Sequence, residues 1–209
     1  MLQGVKLECV RGTRRLFTGL SFDLHAGELL WLTGPNGAGK TSLLRIVATL
    51  LPPEHGEVRW RGTAVRTLGE AYRAEQVYLG HAPAVKDDLT VLENLHYALA
   101  QAGLPAGERQ LAEALEAFGL GGREEIQARA LSQGQKRRVA LARLWFAARQ
   151  PLWVLDEPLT ALDVHAVELM RALISAHLGR DGMVLLTSHQ EIDFAGQRVQ
   201  RIRLDEQAR

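Results

Sequence analysis

The sequence predicts an α/β fold with a mixed core sheet, an antiparallel β region at the N-terminus and an inserted helical segment. Three observations carry this prediction. Gly34-Pro35-Asn36-Gly37-Ala38-Gly39-Lys40-Thr41 fits the phosphate-loop pattern G-x-x-x-x-G-K-[ST]. An apolar strand-like run, Glu28 to Thr33, leads into it, and helical spacing from Ser42 to Val47 leads out. Short apolar runs end at polar residues at Gly34, His81, Asp156-Glu157 and His189. That is the pattern of a parallel sheet whose working residues gather at the carboxyl ends of its strands. Finally, the stretch from about 82 to 150 is helix-rich and separates two groups of strands.

In chain order, Val5 to Cys9 and Leu20 to Leu24 read as strands, with turns at Arg11-Gly12-Thr13-Arg14 and Ala26-Gly27. Short consecutive strands, the lead-in run included, favour antiparallel pairing. Pro52-Pro53 stops the helix after the loop, and Glu57 to Trp60 reads as one more strand. Gln76 to Gly80 is a strand ending at His81. Thr90 caps a helix starting at Val91, with Glu93 placed for a capping box. Leu111, Leu115 and Phe118 share one face of the next helix. Leu131-Ser132-Gln133-Gly134-Gln135 opens a long helix through Arg149. Pro151 to Leu155 is an apolar strand, Asp163 caps a helix to about Leu178, and Met183 to Thr187 is another buried strand. Arg198 to Leu204 alternates as an edge strand does. This gives one domain over 1–209, with a nucleotide core of 1–81 and 151–209 and a helical subdomain of about 82–150.

Composition narrows the function. The chain has 209 residues, 46% of them hydrophobic, and a net charge of +1, which argues against nucleic acid as a partner. The single cysteine, Cys9, excludes an internal disulfide and a cysteine-rich metal site. No apolar run approaches the roughly 20 residues that cross a bilayer, and no signal peptide is evident. A cytoplasmic protein is expected, with any membrane part supplied by a partner.

The chemistry follows from residue types. Glycines at 34, 37 and 39 let successive N–H groups turn inward, and the helix after them adds its positive end. Lys40 offers a point charge to β- and γ-phosphates and Thr41 a hydroxyl to Mg²⁺. Asp156 sits where a Walker B carboxylate holds Mg²⁺ through water, and Glu157 is placed to deprotonate the attacking water. His189, beyond a buried strand, is a candidate γ-phosphate sensor. Ser132 and the N–H groups that follow form a second anion site. A capped helix is the bland alternative and leaves Gly134 unexplained.

The order GPNGAGKT, LSQGQ, LWVLDEP, TALD and TSH resembles an ATP-binding cassette (ABC) ATPase over nearly the whole chain. The resemblance implies the ABC-type P-loop NTPase fold, with ATP and Mg²⁺ as cofactors. It assigns Gly34 through Ser42 to the phosphates, and Thr41 and Asp156 to the metal. It makes Glu157 the catalytic base, His189 the switch histidine, and Leu131, Ser132, Gln133, Gly134 and Gln135 the signature. It also implies a head-to-tail homodimer in the ATP-bound state, in which the signature of one copy closes over ATP on the other and Asp163 lies in the crossing loop.

Two positions depart from the family pattern. His81 stands where the family usually has a glutamine, and Arg11 stands near the aromatic residue that usually stacks on adenine. A guanidinium can stack in its place; Phe17 is the alternative. With Arg14-Arg15-Leu16-Phe17, Val58 to Gly62, Gly80-His81, Leu89 to Leu95 and Thr187 to Gln190, the chain is similar to the ATPase subunits of the cytochrome c maturation system. That implies a haem-transporting translocase at the cytoplasmic face of the cell inner membrane, working with integral membrane subunits. It implies no haem on this chain, which has no Cys-x-x-Cys-His. An ABC ATPase for another substrate is the alternative. A nucleic-acid-linked cassette and a small-molecule kinase fit less well, the first for charge, the second for LSQGQ.

Overall fold

The computed structural model describes residues 1–188, 193–194 and 196–207. The chain runs β1 (Leu2–Arg11), β2 (Arg14–Leu24), β3 (Glu28–Thr33), α1 (Lys40–Val47), β4 (His55–Trp60), β5 (Thr63–Ala64), α2 (Val65–Leu68), α3 (Glu70–Ala74) and β6 (Gln76–Leu79). It continues through α4 (Val91–Gln101), α5 (Glu108–Ala117), α6 (Gln133–Leu141), β7 (Leu152–Asp156), α7 (Val164–Leu178), β8 (Met183–Thr187) and β9 (Arg198–Arg203). Among the described residues no helix is long and apolar enough to cross a membrane.

The strands form two sheets. One is antiparallel, in the order β2-β1-β4-β5, and the other is parallel, in the order β6-β7-β8-β3-β9. The parallel sheet is the middle layer. Side chains alternate along each strand, so Leu30, Leu32, Leu152, Val154 and Leu185 pack with α1 and the antiparallel sheet. Leu29, Trp31, Trp153, Leu155 and Leu186 pack on the opposite face with α4, α5, α6 and α7. All five residues of β7 and of β8 are buried, as strands covered on both faces must be.

Two expectations of the fold need correction. β1 and β2 do pair antiparallel, but β3 leaves them to lie between β8 and β9 in parallel. Its core residues, Leu29 to Leu32, are buried on both faces, so only a place inside a covered sheet satisfies them. The helix opened at Ser132 does not run to Arg149: α6 ends at Leu141 and a 3₁₀ helix follows over Ala142–Arg149. Ala147 has left helical dihedrals, at φ −88° and ψ 24°, and its carbonyl accepts the Trp153 indole N–H at 3.1 Å. Helices α2 and α3 fill 65–74, where neither is long enough to show a periodic pattern. β9 takes the sheet edge beyond β3, as its alternating pattern predicts.

Candidate functional site

The carboxyl ends of β3, β6 and β7 open on a cleft of about 650 Å³. Its wall brings together Asn36, Gly37, Gly39, Lys40, Thr41 and Ser42 from the loop, with His81, Asp156 and Glu157 from the neighbouring strand ends. The loop bends through Gly34, Gly37 and Gly39 at φ of 135°, 78° and 102°, values that only glycine adopts without strain. Gly39 opens α1 without a side-chain cap, so the first N–H groups of the helix stay available to an anion. Lys40 is nearly buried, and its Nζ donates to the carbonyls of Gly34 at 2.7 Å and Pro35 at 3.2 Å. Pro35 and Ala38 complete the loop; the Ala38 N–H donates to the Pro35 carbonyl at 3.2 Å.

Asp156 is buried at the end of β7. One carboxylate oxygen, Oδ1, accepts the Thr187 hydroxyl at 2.9 Å, and Oδ2 is buried with no hydrogen-bond partner in the protein. An orphaned buried acceptor costs about 1–3 kcal/mol, so this oxygen fits a site for a cation. Among the described residues no group of three or more His, Cys, Asp or Glu could hold a metal. The two donors expected for the metal, Thr41 and Asp156, both line the cleft, and two are too few to hold Mg²⁺ without phosphate oxygens. Glu157 follows at φ 50°, a conformation strained for a side-chain-bearing residue. Its N–H donates to the Thr187 hydroxyl at 2.9 Å.

The signature lies elsewhere. Ser132 caps α6 with a full capping box: its Oγ accepts the Gln135 N–H at 3.2 Å, and Gln135 Oε1 accepts the Ser132 N–H at 2.9 Å. Leu131 is buried beneath it, and Ser132 and Gln133 are exposed. None of the residues from Leu131 to Gln135 lines the cleft. A Cβ on Gly134 would stand 2.6 Å from the Ala161 carbonyl oxygen. The glycine is therefore required by a close approach of the loop after β7. Gly134→Ala is expected to lower stability by about 1–3 kcal/mol by overpacking, read as a fall in the urea midpoint; an unchanged midpoint would remove this contact from the account. Asp163 caps α7, accepting the Ala166 N–H at 2.9 Å, and its other oxygen meets Arg138 Nη1 at 3.2 Å.

Phe17 is fully buried and packs where Gly39 passes, so its ring has no free face for adenine; that alternative is corrected. Arg11 is exposed at the end of β1 and is not part of the cleft wall. The wall is instead lined by Leu16, and Arg14 Nη1 comes within 3.7 Å of the Cβ position of Gly37. Both were missed because β2 begins at Arg14, six residues earlier than its apolar alternation indicates. His189 lies outside the described residues. Thr187 was also missed, although a hydroxyl closing an all-apolar strand is a signal. So was Arg137, which is buried on α6; burial pushes its pKa down, opposed by the charges of Asp156 and Glu157.

The chain matches the ABC transporter family over residues 17–160. It is similar to the cytochrome c biogenesis ATP-binding export protein CcmA of Nitrosospira multiformis, at 52% identity over 203 residues, 97% of this chain and 98% of that one. The CcmA of Dechloromonas aromatica is 53% identical over 204 residues, 98% of this chain and 100% of that one. An ATP-binding cassette solved as a dimer in a post-hydrolysis state, bound to ADP and Pi, shares the fold with a TM-score of 0.77 at 23% identity, over 91% of this chain and 88% of that chain. With a phosphate loop, a buried Asp-Glu strand end and a capped LSQGQ helix in one sheet topology, and with half its residues shared with such relatives across nearly its full length, this chain belongs to the ABC transporter ATP-binding family, in the group of the CcmA cytochrome c biogenesis export proteins.

Proposed function

We propose that this chain is the ATP-hydrolysing subunit of a haem-transporting translocase in cytochrome c biogenesis, docked on integral membrane subunits at the cytoplasmic face of the inner membrane. The observation that carries it is the cleft that joins Lys40, Thr41, Asp156, Glu157 and His81 in a chain half identical to CcmA proteins. In this reading Lys40 and the loop N–H groups hold the β- and γ-phosphates of ATP. Thr41 and Asp156 hold Mg²⁺, which when bound neutralises phosphate charge. Glu157 takes the proton from the attacking water, and His81 positions that water by hydrogen bonding. His189, outside the described residues, serves as the γ-phosphate sensor by resemblance alone. The signature, Ser132 to Gln135, stands away from the cleft of its own copy. It serves the site of a second copy in a head-to-tail homodimer, with Asp163 at the crossing. The dimeric assembly of the distant ADP-bound cassette is compatible with this arrangement. The helical subdomain of about 82–150 and the segment from His81 to Leu95 receive the membrane partner.

Light scattering tests the assembly. Glu157→Gln with saturating Mg-ATP is expected to shift the chain from monomer to dimer; one unchanged monomer mass at high concentration would overturn the sandwich. Haem is tested in the complex recovered with its membrane subunits. ATP is expected to drive release of haem-loaded chaperone from wild type and not from Lys40→Ala, and equal release from both would overturn the haem role.

A further inference from the structure

Arg137 occupies a place that an apolar residue would fill by pattern. On α6 and its continuation it shares a face with Ala140, Leu141 and Leu144, all buried, and is itself only 5% exposed. Among the described residues its guanidinium makes four hydrogen bonds, all to backbone. Nη1 donates to the carbonyls of Gly80 at 2.7 Å and His81 at 3.0 Å. Nη2 donates to those of Asp156 and Glu157, both at 2.7 Å. β6 and β7 are parallel neighbours that pair Leu79 with Leu155. The carbonyls just beyond that pair thus leave the two strands side by side, and the planar fork bridges them.

We propose that Arg137 is a positioning residue that ties the strand ends bearing His81 and Glu157 to the signature helix. The proposal rests on the reading of Glu157 as the base. Glu157 holds its positive φ with its N–H on Thr187 and its carbonyl shared between Arg137 at 2.7 Å and the Thr160 N–H at 3.3 Å. Releasing the guanidinium leaves the carbonyl on the longer Thr160 bond, which lets the residue relax toward unstrained dihedrals and turns its carboxylate away from the cleft. The same guanidinium holds the His81 carbonyl, so both polar walls of the cleft move with it. The helix that carries Arg137 begins at the Ser132 capping box, and Gly134 packs on Ala161. A pull on the signature by a second copy is thereby transmitted to the site through one side chain. A lysine cannot replace it, because a single ammonium has no fork with which to reach both carbonyl pairs.

The test uses the full chain, recovered with its membrane subunits, carrying Arg137→Lys, Arg137→Gln or Arg137→Ala. Each variant is expected to lower kcat by about 10- to 100-fold through misplacement of the site, with the KM for ATP within about twofold. Lysine is expected to do no better than glutamine. Arg137 lines a second cavity of about 560 Å³ beside Gly80 and His81, so millimolar guanidinium ion has a route to the vacated place. It is expected to restore part of the activity of Arg137→Ala and none of that of Glu157→Gln. Wild-type kcat in the Arg137 variants would overturn the proposal. So would a loss of kcat matched by an equal loss of nucleotide binding and thermal stability, with no guanidinium rescue. The two readings separate cleanly: wild-type turnover in Glu157→Gln removes the base, whereas active Arg137 variants beside an inactive Glu157→Gln remove only the clamp.

Discussion

Glu157→Gln is expected to slow ATP turnover by about 10²–10⁴, the usual cost of removing a general base, with nucleotide affinity within about twofold. The amide keeps the shape of the side chain and loses its basicity. The substitution leaves the backbone anchors in place, since the residue is held by its N–H on Thr187 and its carbonyl on Arg137 and the Thr160 N–H. Glutamine also meets the same φ of 50°, so no new strain enters. The affinity-bearing groups, Lys40 and the loop N–H groups, lie on a different strand end and are untouched. Single-turnover hydrolysis and equilibrium nucleotide binding in the recovered complex separate the two effects. Near-wild-type turnover would take the base away from Glu157. Equal loss of binding and turnover would move Glu157 from catalysis to nucleotide capture.

What the sequence made legible was local. The phosphate loop, the Asp156-Glu157 strand end and the Thr90 capping box each depend on residues a few positions apart. Their chemistry can be read from type and spacing, and the parallel strands that carry two of them announce themselves as apolar runs. What it concealed depends on packing between distant segments. In sequence Arg137 is only the middle one of three consecutive basic residues, Lys136 to Arg138. Only the arrival of Gly80 and Glu157 beneath it, 57 and 20 residues away in sequence, gives it a task. Phe17 failed as an adenine contact for the same reason: its ring lies in the core beside Gly39, and the cleft receives its neighbour Leu16. β3 shows the limit of neighbour rules. Its lead-in position favours a hairpin with β2, but four consecutive buried residues demand a sheet covered on both sides. Gly134 was recognised as unexplained by capping alone, and the Ala161 carbonyl 2.6 Å from its missing Cβ supplies the reason.

Acid is expected to destabilise the fold through His177, far from the phosphate chemistry. His177 ends α7 stacked on Trp153, with ring centroids 4.0 Å apart and 10° between planes. A Cβ on Gly182 would overlap its ring at 2.3 Å, so the turn into β8 is free of side chain there. Burial pushes its pKa down to about 4, and Arg180 adds to this; backbone hydrogen bonds to Met183 and Pro151 oppose it. Nε2 is buried and no well-aligned hydrogen bond reaches it, so these backbone groups offset the burial only in part. The helix C-terminus favours a cation by about 0.3–1 kcal/mol, less than the desolvation it opposes. In the unfolded chain the imidazole titrates near 6.5. Between about pH 6.5 and 4 the unfolded state therefore holds the extra proton, and stability rises with pH across that window. The contribution is fully present above about pH 6.5 and is lost as pH falls toward 4. A shift of this size is worth about 3 kcal/mol, roughly a hundredfold in the folding equilibrium. Denaturant unfolding at pH 7 and pH 4.5 measures it. The loss of stability between those values is expected to be about 2–3 kcal/mol smaller in His177→Phe and His177→Gln than in wild type, whatever each variant's absolute stability at pH 7. Equal losses in all three proteins would show that His177 takes up its proton in the folded state as readily as in the unfolded one.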